Sequence, residues 1–176
     1  MGNRQQIAIR IVIMENVIKE QIYIGIAELV VVHNPAVLIT KGLGSCIAVS
    51  LRDPVERFGA LAHIILPSIE ASNNKDNPLK FADSAIDIAV NRLLEKGCKK
   101  NRLEAKIAGG SSMFHIENMT INIGEKNAVA VIRKLGELRI PIKASDVGGD
   151  YGRTVEFDIE KGTMTVKTAF HGVKVM

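Results

Sequence analysis

A chain of 176 residues that is 47% hydrophobic can bury one continuous core without staples, so it fits one domain with at most an appendage. Its two cysteines, Cys46 and Cys98, match no disulfide framework or metal-ligand spacing and suggest free thiols in a reducing compartment. A net charge of +4 with scattered basic residues and few aromatics argues against nucleic-acid binding, and no apolar run approaches the roughly 20 residues of a bilayer span.

Residues 1–20, MGNRQQIAIRIVIMENVIKE, are expected to form an N-terminal extension of unknown role before a compact domain over 21–176. Gln5, Gln6 and Arg10 interrupt the apolar patch and no small-residue cleavage site follows, so no signal peptide is expected. Gln6 stands where a myristoylation signal needs Ser or Thr. A cytoplasmic protein without membrane insertion is the expectation. Short runs rich in Val and Ile between turn signals predict strands at 22–32, 37–40, 46–51, 58–66, 103–109, 141–147, 154–159 and 163–169. The last two flank Glu160-Lys161-Gly162 and predict a terminal hairpin.

Helical spacing replaces that pattern twice. Ala82, Ala85, Ile86, Ala89 and Leu93 recur at three- and four-residue steps over 81–96, with Gly97 as the stop. Ala128, Val131, Leu135 and Leu138 do the same over 127–138. The predicted fold is α/β, a layered sandwich of mixed, largely antiparallel sheets with two main helices. Strands apolar on both faces predict sheets covered on both sides.

One hairpin carries chemistry. Asp53-Pro54 is the preferred opening of a type I turn, and four-residue hairpin loops are most often built on that turn. A loop over 53–56 puts Leu51 opposite Phe58 and, continuing the ladder, Cys46 directly opposite His63. A thiol beside an imidazole is an activated nucleophile, because the imidazolium stabilises the thiolate and lowers the thiol pKa. Gly42, Gly44 and Ser45 precede the cysteine. Glycines allow close backbone approach, so N–H groups near Gly44, Ser45 and Cys46 are candidates to hold an oxyanion. Thr40 is the nearest hydroxyl candidate to orient the histidine. In isolation, a buried structural cysteine and a satisfied core histidine are the commoner explanation of the same residues.

Other motifs rank lower. Gly109-Gly110-Ser111-Ser112 lacks the lysine of a phosphate-binding loop and is expected to be a tight turn. Asn127 is expected to cap the second helix, or else to brace a loop near the site. Asp146-Val147-Gly148-Gly149 with Arg153 suggests a surface turn with an ion pair. Cys98 is expected to be a peripheral thiol, and His33 and His115 have no evident partner.

ITKGLGSCIAVSLRDP, GALAHIILP, KFADSAID, LEAKIAGGSSMF, NIGEKNAVAV and DVGGDYGRTVEFDIEKG, in that order, together resemble the CheD-type chemoreceptor glutamine deamidases over residues 22–170. The resemblance implies hydrolysis of glutamine side-chain amides on chemotaxis receptors, to glutamate and ammonia, and in some members of glutamyl methyl esters. It implies a nucleophile at Cys46, a general base and acid at His63 and an assisting threonine at Thr40, with no cofactor and no metal. It also implies a fold similar to the catalytic domains of glutamine-deamidating toxins, and two partners, the cytoplasmic helices of chemoreceptors and a CheC-type phosphatase. The alternative is a regulatory binding module for that phosphatase, with little turnover.

Overall fold

The computed structural model describes residues 19–112 and 122–176, so residues 1–18 of the expected extension, and His115, lie outside the described residues. Ten strands and two helices make three layers. The strands are β1 (Glu20–Tyr23), β2 (Leu29–His33), β3 (Ala36–Leu43), β4 (Ile47–Asp53), β5 (Phe58–Ile64), β6 (Glu104–Gly109), β7 (Ile142–Val147), β8 (Arg153–Asp158), β9 (Thr163–Lys167) and β10 (Val173–Val175). The helices are α1 (Ala82–Glu95) and α2 (Ile123–Glu137).

One five-stranded sheet has the order β1-β3-β8-β9-β10 and the other β2-β5-β4-β6-β7. Among the described strand pairs, only β1 with β3 and β6 with β7 are parallel. The predicted mixed, largely antiparallel α/β sandwich is therefore the observed one. The second sheet lies in the middle. Ile47, Val49, Leu51, Ala60, Ala62 and Ile64 on one of its faces pack against Ala85, Ile86, Ala89 and Leu93 of α1 and Val131 and Leu135 of α2. Ala48, Leu61 and Ala108 on the other face pack against Leu38, Val155, Phe157 and Met164 of the first sheet. Two-sided cover thus holds for the central sheet alone, since β8 alternates buried and half-buried residues, as a strand with one wet face must.

Each helix ends in a way its sequence explains. At the end of α1, Gly97 takes a left-handed φ of +90°, and the N–H groups of Gly97 and Cys98 donate to Leu94 and Leu93 carbonyls. This Schellman turn folds Cys98 back onto the Leu93 end of the core, so it is buried and not peripheral. Burial, followed by the charges of Asp53 and Glu56, pushes its thiol up to about 11. α2 begins four residues before the predicted start, capped by Asn122, whose side-chain oxygen accepts the Glu125 N–H at 3.2 Å. The Asn122-to-Glu125 spacing is a capping-box signal that the apolar periodicity alone overlooks.

Two strand expectations need correction. The apolar run 22–32 is two strands in different sheets, because residues 24–28 cross from one sheet to the other. There Gly25 N–H donates to the Glu28 carboxylate at 2.7 Å and Ala27 adopts a φ of +57°. The hairpin loop is also one residue later than predicted. Asp53 still pairs with Phe58, and Arg57 closes the loop at a φ of +58°. The Asp53 carboxylate accepts the N–H groups of Val55 and Glu56, so it initiates the turn while remaining in the ladder.

Candidate active site

The site lies between the two sheets and is built around the crossing segment. Ile24 N–H donates to the Ile39 carbonyl of β3, while Ala27 N–H donates to the His63 carbonyl and Glu28 accepts the His63 N–H. Five residues thus fasten β3 to β5 where Thr40 and His63 project inward. Both side chains are fully buried. Thr40 Oγ1 lies 2.8 Å from His63 Nδ1 and 2.8 Å from the Ile24 carbonyl oxygen. A hydroxyl has one proton, and a carbonyl can only accept. Thr40 therefore donates to Ile24 and accepts from His63 Nδ1–H. This assigns the tautomer: Nδ1 carries the proton and Nε2 presents a lone pair. Among the described residues Nε2 has no hydrogen-bond partner.

In the observed register Ala48, not Cys46, is opposite His63. The predicted register is thus off by two residues, which preserves the face because side chains alternate with period two. Cys46 is the diagonal neighbour, at a backbone spacing of about 7–8 Å, and it packs against the same inter-sheet cluster as Ala48. Just outside β4, it ends the loop that leaves β3 at Leu43. β3 bulges between Thr40 and Leu43, where exposed Gly42 has a φ of +72°.

The three carbonyls of the cysteine loop are all held. Ser111 N–H donates to Gly44 at 2.8 Å, Asn127 Nδ2 to Ser45 at 2.9 Å, and Gly110 N–H to Cys46 at 2.8 Å. In a trans peptide the next residue's N–H points the opposite way. The N–H groups of Ser45 and Cys46 are therefore turned away from those donors.

Burial dominates the electrostatics. It raises the Cys46 thiol above its ordinary value, only partly offset by the residue's own N–H. It lowers His63 below the ordinary imidazole value of 6.5. Both shifts run against the thiolate–imidazolium pair that the sequence suggests. Desolvation disfavours both charges.

A family model described as CheD chemotactic sensory transduction matches residues 65–168. The "Probable chemoreceptor glutamine deamidase CheD" of Desulfitobacterium hafniense (strain DSM 10664 / DCB-2) is 43% identical over 165 residues, covering 93% of this chain and all of that protein. The chain belongs to the CheD family. A relative of the same name from Clostridium botulinum (strain Hall / ATCC 3502 / NCTC 13319 / Type A) is 46% identical over 157 residues, covering 88% of this chain and 97% of its own. A crystal structure of the Bacillus licheniformis hypothetical protein YfiH superposes at a TM-score of 0.42 with 17% identity. It covers 68% of this chain and 49% of that one, a likeness too remote to carry any argument.

Several features of this CheD-family site are invisible in sequence. Gly109 (φ +120°) sits where a Cβ would lie 2.1 Å from the Cys46 carbonyl oxygen, and Gly124 of α2 where one would lie 2.5 Å from that of Ser111. The predicted tight turn 109–112 is thus a wedge between the cysteine loop and α2. Beneath it Arg153 is fully buried, not on the surface. Its Nε is 2.8 Å from Asp146 and one terminal nitrogen 2.6 Å from Ser111 Oγ. Burial works against the Asp146 charge, but hydrogen bonds from Lys174 and Arg153 outweigh it and hold the carboxyl below its usual range. Asn127 does not cap α2. It is fully buried in the helix, and its Nδ2 also donates to the Ile65 carbonyl at 2.9 Å. His33 is exposed with its ring edge-on to Phe58. No described helix is long and apolar enough to cross a membrane.

Proposed function

We propose that this protein hydrolyses glutamine side-chain amides on the cytoplasmic helices of chemoreceptors. The observation that carries this reading is the Thr40 hydroxyl, which is committed to Ile24 and so leaves His63 Nε2 as a free base on the face that Cys46 shares. Membership of the CheD family, whose relatives bear the deamidase name, supplies the substrate class.

The cycle starts from a neutral thiol and a neutral imidazole. As Cys46 Sγ attacks the glutamine side-chain carbonyl carbon, its proton passes to His63 Nε2. The carbonyl π pair moves onto oxygen, and the N–H groups of Ser45 and Cys46 receive that oxyanion. When the intermediate collapses, the carbon–nitrogen bond breaks, and the nitrogen takes the proton from Nε2 and leaves as ammonia. The product is a Cys46 thioester. Water then attacks the thioester carbonyl while giving a proton to Nε2. The carbon–sulfur bond breaks, sulfur recovers that proton, and glutamate is released. Thr40 holds the imidazole through both half-reactions. No step requires a cofactor.

Such a site operates in the cytoplasm, where receptor helices project. A CheC-type phosphatase presenting a similar helix is expected to compete for the same surface. The test is mass spectrometry of a receptor fragment co-expressed with wild type, Cys46→Ala or His63→Ala. The wild type is expected to add the mass of amide-to-acid conversion at particular glutamines, and both variants to fold without adding it. Conversion by either variant overturns the proposal.

A further inference from the structure

The β4–β5 ladder closes at Ile47 opposite Ile64, so Cys46 and Ile65 lie just beyond its last pair. One side chain links these two overhanging ends. Asn127, fully buried in α2, uses its two amide protons on two carbonyls, Ser45 just before the nucleophile and Ile65 just after β5, each at 2.9 Å. Because both acceptors are carbonyls, the amide orientation is fixed: nitrogen faces them and Oδ1 faces away. Among the described residues Oδ1 is buried without a partner. A helix core gains stability from an apolar residue sooner than from an amide left half satisfied.

We infer that Asn127 is a positioning residue for deamidation, setting the Cys46 loop at a fixed offset from His63 and aiming the Cys46 N–H at the oxyanion. The second effect follows from the first contact. Holding the Ser45 carbonyl fixes the peptide plane that carries the Cys46 N–H. This inference rests on the deamidase reading above, and its substrate is the same receptor glutamine. Gly124 lets α2 approach closely enough for the contact, since a Cβ there would strike the 110–111 backbone.

The test uses the full chain with Asn127→Asp and Asn127→Ala, assayed by ammonia release from a purified receptor fragment and by iodoacetamide alkylation mapped to Cys46. Both variants are expected to lose roughly 10²–10³ in kcat with KM changed less than about threefold, the pattern of an interaction made only in the transition state. Alkylation of Cys46, which needs no oxyanion donor, is expected to keep its wild-type rate within about fivefold. The Asp variant adds a signature. Its carboxyl faces two carbonyls and can donate only when protonated, so its kcat relative to wild type at the same pH is expected to recover as pH falls, whereas the ratio for the Ala variant shows no such recovery. Wild-type kcat in both folded variants overturns the inference. So does an activity loss matched by an equal loss of the alkylatable folded fraction, which makes Asn127 structural only. Absence of turnover by the wild type instead overturns the deamidase reading and this inference with it.

Discussion

Thr40→Val isolates the hydroxyl, because valine keeps the shape and removes only the group that joins Ile24 to His63. Two buried partners are stranded, the Ile24 carbonyl and the His63 Nδ1–H. Each unpaired group costs about 1–3 kcal/mol. Burial of the added methyl returns about 0.8 kcal/mol, so the net loss is about 3 kcal/mol. For a chain of this length that lowers the Tm by about 6–12 °C. The chemical effect is larger. Without an acceptor at Nδ1 the ring no longer favours the tautomer with a free Nε2, and kcat/KM for receptor glutamines is expected to fall roughly 10²–10⁴-fold, as when a triad loses its tautomer-fixing group. Thr40→Ser restores the hydroxyl and is expected to stay within about tenfold of wild type. Ammonia release measured well below the variant's Tm reports activity, and nitrogen NMR of the imidazole reports the tautomer. A folded Thr40→Val protein with a protonated Nε2 and unchanged kcat/KM would refute the reasoning.

Three further outcomes follow from the same structure. In the proposed mechanism the base is His63, whose pKa burial lowers, so activity is expected to fall as pH drops through a value below 6.5, the acid limb of kcat/KM being the measurement. Gly109→Ala forces a Cβ into the Cys46 carbonyl at a left-handed φ and is expected to cost more than about 3 kcal/mol in chemical denaturation. Gly136→Ala in the last turn of α2, where nothing lies within 4 Å, is expected to stabilise by about 0.5–1 kcal/mol in the same assay.

Much of this arrangement was legible because strand and helix periodicities survive small errors. The hairpin loop falls one residue later than Asp53-Pro54 suggests, since nothing in Arg57 announces a left-handed φ. The resulting two-residue slip kept Cys46 and His63 on one face. Had the slip been odd, the pair would have vanished. The break in 22–32 was harder to see. Apolar residues continue through it, Ile24 and Ala27 buried and Ile26 exposed, so periodicity does not mark the crossing and Gly25 is the sole local signal. Asn127 reads first as a cap because the Ile123-Gly124 turn adds little to the apolar stripe, whereas it lies one turn inside the helix and braces the cysteine loop. Arg153 and Asp146 looked like surface residues by type, since burial of a charge depends on partners brought from distant strands.

Because residues 24–28 touch Thr40 and His63 while tying one sheet to the other, the catalytic geometry and the seam between the sheets are one object. A slip of the sheets at this seam would break the Thr40–His63 contact that sets the tautomer. Partial unfolding therefore silences the thiol's chemistry and does not release a loosely selective hydrolase among the cell's other glutamine side chains. The joint acts as a fuse.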